Sequence, residues 1–424
     1  MAATDAVAAG ALAPAKAKRV AGTVIAGHGF QHMYADGFLV LLNPIYDAFG
    51  LNPVSAGVLA VIRQSAGGLM SMGGGFFIDL FAGRRGLLLA SSLFLMALGY
   101  LLVGAAPNYP LLLAALAFGA AGGSFWHPVG LGILSASFPN NRALMMSLHR
   151  SSGGVGEVIT PLVVAALLAF ITWRQVLVAG FFLISAVAIV LYIVLARLGI
   201  PQTSVERRGA GVQLRSIGGL FRDRALPVLL LVSGLRGMAD RAVVFFLPLF
   251  IAQALRAVDP DVSSVRIAAV VALHITVMSL TAVFIPPLIG MLSDRAGRKP
   301  IMLATMAGSV VLLAGLSMLG AITPLFTVLI AVLGAVRFAV ANVTQAASLD
   351  IAEGRRLEGS MIGLLWGNNA LFGAASPLIL GGLIAAMGDD YGVIFPYAAV
   401  LNVCAMGAAL FLPLRLRPGQ TPAS

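Results

Sequence analysis

The stretch "GMLSDRAGRK", residues 290–299, decides how this chain is organised. It separates two long apolar runs and combines two glycines with one aspartate and three basic residues. We expect Gly290 to allow close helix approach, Asp294 to cap a helix or pair with an arginine, and Gly297 to form a tight turn. A second copy, "GFFIDLFAGRR", occupies residues 75–85, with Leu80 in place of the first arginine and one extra residue before its basic end. Two such copies predict a duplicated chain.

Other residues repeat at nearly constant spacing along the two halves. The repeated positions, at shifts of 204 to 216 residues, are Asp36 and Asp240, His32 and Arg236, Pro44 and Pro248, Asp79 and Asp294, Pro161 and Pro377, and Met145 and Met361. Their constant order indicates an internal duplication. Duplicated halves with a binding site between them are typical of secondary transporters.

The composition is that of an integral membrane protein. Of the 424 residues, 59% are hydrophobic and only 10% are charged, and the mean hydropathy is +0.98. A soluble domain contains about a quarter charged residues, whereas a helix that crosses a bilayer needs about 20 apolar residues. The sequence therefore predicts an all-α membrane protein with twelve transmembrane helices. The expected spans are 20–42, 54–78, 86–105, 109–137, 143–170, 174–196, 226–253, 265–292, 300–320, 323–350, 359–386 and 393–413.

The distribution of Lys and Arg predicts the orientation. With a cytoplasmic N-terminus, nineteen of the 27 basic residues fall on cytoplasmic segments and three fall outside, at Arg174, Arg256 and Arg266. This asymmetry predicts that both termini are cytoplasmic. The net charge of +11 is then a topology signal and not a sign of nucleic-acid binding. The single cysteine, Cys404, excludes an intramolecular disulfide.

The polar segments divide the chain into five parts. We expect a cytoplasmic tail at 1–19, a six-helix bundle at 20–196, a cytoplasmic linker at 197–225, a second six-helix bundle at 226–413 and a cytoplasmic tail at 414–424.

The paired basic loops resemble the hallmark loop of the major facilitator superfamily, which follows the second and eighth spans. The resemblance implies two pseudo-symmetric six-helix bundles that rock around a shared site, with no cofactor. In that family the loop is a latch that stabilises the outward-facing state. The implied latch residues are Gly75, Asp79, Arg84, Gly290, Asp294, Arg295 and Arg298. The alternative is an ordinary basic loop.

A narrower resemblance covers the first half. The stretches "GGSFWHPVG" at 122–130 and "RALMMSLHRSSGGVGEVITPLV" at 142–163, with Gly27-His28, are similar to the fosmidomycin-resistance branch of drug efflux proteins. This sequence departs from that branch at Val129, where a glutamate is common, and at His32, where an acid is expected. The glycines within 153–156 and Pro161 also resemble the fifth-helix motif of drug–proton antiporters. Small residues that simply let helices pack closely would give the same pattern.

Many ionisable residues fall inside the predicted spans. They are Asp36, Glu157, Asp240, Arg63, Arg150, Arg236, Arg241, Arg337, His28, His32, His127 and His274. A charge at a helix centre costs roughly 2.5–3.5 kcal/mol even on the lenient insertion scale. These groups must therefore line a water-filled cavity or pair with one another.

His28, His32 and Asp36 stand four residues apart and form one stripe about 12 Å long on a helix. The two histidines fit three roles, as hydrogen-bonded structural residues, as proton or substrate contacts, or as ligands of a metal ion such as zinc. The sequence offers no further His or Cys cluster for a closed metal site, so we expect no bound metal. The candidates for proton coupling are Asp36, Glu157, Asp240, His28 and His32. Glu157 could instead be a hydrogen bonder between helices, and neighbouring arginines could hold Asp240 ionised.

Five arginines exceed three acids within the spans, which predicts a substrate with negative charge. The expected substrate contacts are Arg63, Arg236, Arg337, Arg241, Trp126, His127 and His274. Arg241 could instead pair with Asp240. These features predict a monomeric, proton-coupled exporter of a small anionic or amphiphilic compound in the cell's inner (plasma) membrane. The alternatives are a proton-coupled importer of an organic anion and, from a different class, a membrane-embedded enzyme.

Overall fold

The computed structural model describes residues 13–80, 84–138, 141–200, 218–219, 221–352 and 358–413. Within these ranges it describes the backbone alone at 71–80, 142–143, 282–283, 286–287, 352, 358–360 and 362–363. Every regular element in the described ranges is helical. The α-helices are α1 (Pro14–Asp36), α2 (Phe38–Ala48), α3 (Pro53–Leu80), α4 (Arg85–Ala105), α5 (Tyr109–Gly123), α6 (Trp126–Ser137), α7 (Arg142–Leu168), α8 (Trp173–Leu198), α9 (Ala225–Val258), α10 (Ser264–Ala296), α11 (Arg298–Leu319), α12 (Pro324–Ala352), α13 (Glu358–Ala386) and α14 (Ile394–Leu410). A 3₁₀ turn, Tyr391–Val393, precedes α14.

Each predicted span falls on one helix or on two consecutive helices. Span 20–42 is interrupted at Gly37, between α1 and α2, and span 109–137 is interrupted by a turn between α5 and α6. Within the described residues, ten helical segments are long and apolar enough to cross a membrane. The segment that carries the His28–Asp36 stripe is not among these ten, because its polar side chains lower its hydropathy. The count of twelve spans and the cytoplasmic termini stay predictions.

Several helix starts follow from capping residues in the sequence. The side chain of Asn108 accepts a hydrogen bond from the Leu111 amide at the start of α5, and Ser263 caps α10 in the same way. Thr172 and Gln175 form a reciprocal capping box at the start of α8. Such caps satisfy amides that the first helical turn leaves without a backbone partner.

The chain divides into two compact units. The first unit comprises Met1–Leu41 with Ala66–Glu206, and the second comprises Leu42–Ser65 with Arg207–Ser424. The predicted C-terminal tail and most of the predicted N-terminal tail and linker, at 1–12, 201–217, 220 and 414–424, lie outside the described residues, whereas residues 14–19 of the predicted N-terminal tail are helical and belong to α1. The predicted domain limits therefore stay predictions.

In the first unit, α1 packs against α7 and α8, and α4 packs against α5 and α8. The α4–α5 contact is so close at Gly99 that an added Cβ there would overlap the backbone of Gly119. Pairs of small residues are a common way for membrane helices to approach closely. Arg174 donates to the carbonyls of Gly104 and Ala106, which ties the start of α8 to the end of α4.

In the second unit, α9 packs against α13 and α14, and α11 packs against α12 and α14. These pairs repeat those of the first unit, since α9 with α13 corresponds to α1 with α7, and α11 with α14 corresponds to α4 with α8. The segment Leu42–Ser65 joins this unit through specific contacts. The Asn43 amide donates to the Pro248 carbonyl at 2.9 Å, and the hydroxyls of Tyr46 and Tyr391 lie 3.0 Å apart.

Candidate functional site

In the first unit, the stripe on α1 meets an acid from α7. His32 Nδ1 lies 2.9 Å from Asp36 Oδ2 on its own helix and 3.2 Å from Glu157 Oε1. We call His32, Asp36 and Glu157 the carboxylate cluster. Their side chains are 15%, 28% and 16% exposed, whereas Arg150, 3.5 Å from Glu157, is 59% exposed. Two carboxylates therefore share one imidazole nitrogen in a mostly buried place.

Beside this cluster lies a group of three histidines, one from each of three helices. The His28 ring from α1 stacks on the His149 ring from α7, with centroids 3.6 Å apart and an interplanar angle of 19°. His127 from α6 meets the His28 ring edge-on at 5.1 Å. We call His28, His127 and His149 the histidine cluster. Trp126 is fully buried behind it, with its ring 6.5 Å from that of His28.

His149 is the residue that sequence reasoning missed. It stands within the predicted span 143–170, two turns before Glu157, so its position in a span was a signal that it belonged with the other buried ionisable groups. The α1–α7 packing then places it against His28, a residue 121 positions earlier. That pairing depends on tertiary structure alone.

The glycines of α7 have a local function in this arrangement. A Cβ added at Gly153 would lie 2.6 Å from His28 Cε1 and 2.9 Å from His32 Cδ2, which is closer than real Cβ contacts. A Cβ at Gly156 would lie 2.5 Å from the Gly29 carbonyl oxygen. These positions must be glycine for α1 and α7 to approach, which favours the close-packing interpretation of the motif.

The second unit holds a different ionisable group on α9. Arg236 Nη1 lies 3.5 Å from Asp240 Oδ2, and Arg337 of α12 forms an ion pair with the other oxygen of the same carboxylate. The Arg236, Asp240 and Arg337 side chains are 10%, 17% and 17% exposed. We call these three residues the arginine cluster. Two guanidinium groups thus share one carboxylate.

A small cavity of about 30 Å³ adjoins the arginine cluster. It has room for about two water molecules. Its polar lining comprises the arginine cluster with Ser309 and Asn402, and the remaining lining is apolar. Arg236 also donates to the Arg337 carbonyl at 3.3 Å, and its Nε has no hydrogen-bond partner among the described residues. The cluster is therefore positively charged and has a donor left to satisfy.

The remaining predicted substrate contacts lie elsewhere. Arg63 is half-buried on α3 and is not among the residues that line the cavity. Arg241 is exposed, and its aliphatic chain lies over Gly373. His274 is buried between α10 and α12, where Nδ1 lies 2.7 Å from the Val270 carbonyl and Nε2 lies 3.0 Å from Thr327 Oγ1. The roles of these three residues in substrate binding stay predictions.

The loop at 290–299 is organised by Arg298, whose side chain is only 8% exposed. Arg298 forms an ion pair with Asp294, donates to Ser293 Oγ at 2.7 Å and lies 3.0 Å from Asp350 Oδ2 of α12. Gly297 adopts a left-handed φ of 94°, as expected for the predicted turn. Sequence reasoning did not identify Asp350, because this residue is the last one of a predicted span and lies 52 residues from its partner Arg298.

Other predicted latch residues have fewer contacts. Arg295 is exposed, and an added Cβ at Gly290 would meet no atom of the described residues within 4 Å. The close helix approach expected at Gly290 is therefore not seen among the described residues, and its role in the latch stays a prediction. In the first copy, Gly75 and Asp79 lie on α3 where only the backbone is described, residues 81–83 lie outside the described residues, and Arg84 is exposed.

The comparisons with known proteins agree with this architecture. The Major Facilitator Superfamily model matches residues 24–265, and the chain belongs to this family of transporters. Membership of this family indicates that the chain is a multi-pass membrane transporter and not an enzyme, and the similar solved structures are also transporters. No curated protein sequence matches the chain. The assignment of this chain to the fosmidomycin-resistance branch of the family stays a prediction.

Solved structures show the same fold. A mutant of the nucleoside transporter NupG superposes with a TM-score of 0.78 at 14% identity, covering 93% of this chain and 99% of that one. NupG itself gives a TM-score of 0.76 at 14% identity, covering 93% and 98%. A bacterial homologue of the human lysosomal transporter Spinster, inward-facing and occupied, gives 0.76 at 16% identity, covering 95% and 98%.

Proposed function

We propose that this chain is a proton-coupled secondary transporter that exports a small anionic or amphiphilic compound by alternating access. The observation that carries the proposal is the arginine cluster, in which two mostly buried guanidinium groups share the single carboxylate of Asp240. A surplus positive charge among apolar helices is costly unless an anion neutralises it. Guanidinium groups bind carboxylate, phosphate and phosphonate oxygens well because their donors form a planar fork.

The carboxylate cluster supports proton coupling. Asp36 and Glu157 both lie within hydrogen-bonding distance of His32 Nδ1, and a single N–H can donate fully to only one of them. Two carboxylates so close together repel when both are ionised, and uptake of one proton relieves the repulsion. We assign the transported proton to this pair of carboxylates. Arg150, which is mostly exposed, neutralises part of the remaining charge.

Proteoliposomes that contain the purified protein and a pH indicator test the proposal. Labelled organic carboxylates, phosphates and phosphonates are offered on either side, and nucleosides serve as a neutral comparison because NupG, a structural relative, is a nucleoside transporter. Export by antiport predicts that protons and the anion move in opposite directions. Movement in the same direction would instead establish the importing symporter, and a chemically changed product would contradict the transporter assignment.

Two arginine variants test substrate charge. Because hydrogen bonds to a charged group contribute about 1.5–3 kcal/mol, Arg236→Gln and Arg337→Gln should each weaken anion binding by about 10- to 100-fold. Arg266→Gln, at an exposed position on α10, is the matched control and should bind normally. Unchanged anion affinity in both cluster variants, or transport of neutral compounds alone, would refute an anionic substrate.

Two acid variants test proton coupling. Asp36→Asn and Glu157→Gln should abolish accumulation driven by a pH gradient, while exchange of labelled for unlabelled substrate across the vesicle continues. Asp261→Asn, an exposed carboxylate, should retain both activities. Gradient-driven accumulation in both cluster variants would show that the proton is carried elsewhere. The proposal also places the protein in the cell's inner membrane as a monomer.

A further inference from the structure

We propose that the histidine cluster is a binding site for Zn²⁺. One ring nitrogen each from His28, His127 and His149 lies within 4.8 Å of the other two. Imidazole is a preferred ligand of zinc, and three histidines with an open fourth position form a known type of zinc site. This inference goes beyond the proposed function and does not depend on it.

Hydrogen bonding leaves one buried ring nitrogen of His28 and one of His149 without a partner among the described residues. His28 Nδ1 lies 2.6 Å from the His149 carbonyl oxygen, so this nitrogen carries the hydrogen and donates. Nε2 of His28 then has a lone pair, and it has no hydrogen-bond partner among the described residues. Metal-ligating histidines typically donate their other ring N–H to a carbonyl in this way, which fixes the tautomer.

His149 offers a second buried nitrogen. Its Nε2 also has no hydrogen-bond partner among the described residues, and His28 and His149 are only 1% and 3% exposed. Buried nitrogens without a partner are unfavourable. A shared cation satisfies both lone pairs at once.

Zinc binding requires the three nitrogens to move closer together and one stacked ring to turn. Zn–N bonds of about 2.0–2.1 Å place the nitrogens of a tetrahedral site roughly 3.3 Å apart. The nitrogens must therefore approach by at most about 1.5 Å from their 4.8 Å limit. Because the His28 and His149 rings are stacked and their lone pairs lie in nearly parallel planes, binding also requires the His149 ring to turn about its side-chain torsions until its nitrogen faces the ion. The ligands come from α1, α6 and α7, so the ion would join three helices of one unit.

The neighbouring carboxylates balance the charge. Three neutral imidazoles leave both positive charges of the ion uncompensated. The His32 ring lies 4.7 Å from that of His28 and 5.8 Å from that of His127, and its Nδ1 contacts Asp36 and Glu157. Two nearby anions offset the cost of burying a divalent cation.

The test is zinc binding by the full-length protein in detergent, after removal of any polyhistidine tag and dialysis against a chelator. We expect one Zn²⁺ per chain by calorimetry, with no competition from Mg²⁺, which prefers oxygen ligands. His28→Ala, His127→Ala and His149→Ala should each weaken binding by at least about 100-fold, more than loss of an outer-sphere partner. His274→Ala is the matched control and should bind normally, since protein groups contact both of its ring nitrogens.

The variant Glu157→Gln distinguishes zinc binding at the histidine cluster from zinc binding at the carboxylate cluster. It should weaken zinc binding by about tenfold, as loss of an outer-sphere charge does. If Glu157→Gln abolished binding while His28→Ala and His149→Ala retained it, the ion would sit in the carboxylate cluster and the proposal would be wrong. Absence of saturable binding, or equal competition by Mg²⁺, would also overturn it.

A spectroscopic measurement on the unmodified protein does not depend on whether the histidine variants fold correctly. Co²⁺ bound in place of zinc should give the intense visible absorption of a four-coordinate site with nitrogen ligands, and Zn²⁺ should displace it. A weak six-coordinate spectrum would contradict a three-histidine site. Failure of transport would leave these results unchanged, so the two proposals can fail separately.

Discussion

Replacing Asp240 by asparagine tests the central feature of the second unit, the sharing of one carboxylate by Arg236 and Arg337. All three side chains are at most 17% exposed, so solvent screens their charges weakly. Removing one partner from a buried ion pair costs about 3–5 kcal/mol. Asparagine keeps one carbonyl acceptor, which places the expected loss at the lower end, about 3 kcal/mol.

The assay is thermal unfolding of the purified protein in detergent. In a unit of this size, 1 kcal/mol shifts Tm by about 2–4 °C, so Asp240→Asn should lower Tm by about 6–12 °C. The control Asp261→Asn makes the same charge change at an exposed position and should stay within about 0.5 kcal/mol of the unmodified protein.

A double substitution shows whether charge is the cause. Adding Arg337→Gln to Asp240→Asn removes one of the two unbalanced guanidinium groups and should recover part of the lost stability. A binding anion should also raise the Tm of Asp240→Asn, since it occupies the place of the missing carboxylate. If Asp240→Asn unfolded at the same temperature as the unmodified protein, the reasoning about a buried shared carboxylate would be refuted.

Two further predictions concern packing and the loop at 290–299. Gly153→Ala should destabilise the first unit and shift the His28 ring, because the added Cβ would lie 2.6 Å from His28 Cε1. The control is Gly132→Ala, whose Cβ would meet no described atom within 4 Å, so this variant should be neutral or slightly stabilising. Thermal unfolding of both variants checks this, and equal Tm values would contradict it. Arg298→Ala should cost about 1.5–3 kcal/mol, because Asp350, which is 21% exposed, would lose its hydrogen bond to a buried guanidinium. Arg295→Ala, at an exposed position, should cost under about 0.5 kcal/mol. Denaturation midpoints of the two arginine variants distinguish them, and a similar loss in both would show that burial of Arg298 is unimportant.

The helical fold could be predicted because it follows from local and compositional signals. Long apolar runs must form helices in a bilayer, since no water is available to satisfy the backbone. The loop copies at 75–85 and 290–299 indicated the duplication, and the packing pairs of the two units repeat in the same order. The interruptions at Gly37 and between α5 and α6 were not predicted, because a short break leaves hydropathy almost unchanged.

The candidate sites could be predicted only in part. Spacing within one helix placed His28, His32 and Asp36 on a stripe, and it placed Arg236 four residues before Asp240. Helical geometry makes such i, i+4 neighbours independent of the rest of the fold. Because these ionisable side chains lie within apolar spans, they must also form ion pairs with one another or line a water-filled cavity.

The sequence by itself determined that this is a helical membrane protein with a repeated plan and ionisable stripes, since those features depend on residue type and local spacing. Only the tertiary structure decided which partners the stripes meet. It brought Glu157 to His32, His149 to His28, Arg337 to Asp240 and Asp350 to Arg298. Each of these pairs joins two helices whose paired residues lie far apart in the sequence, and their contact depends on how whole helices pack, which no local pattern specifies.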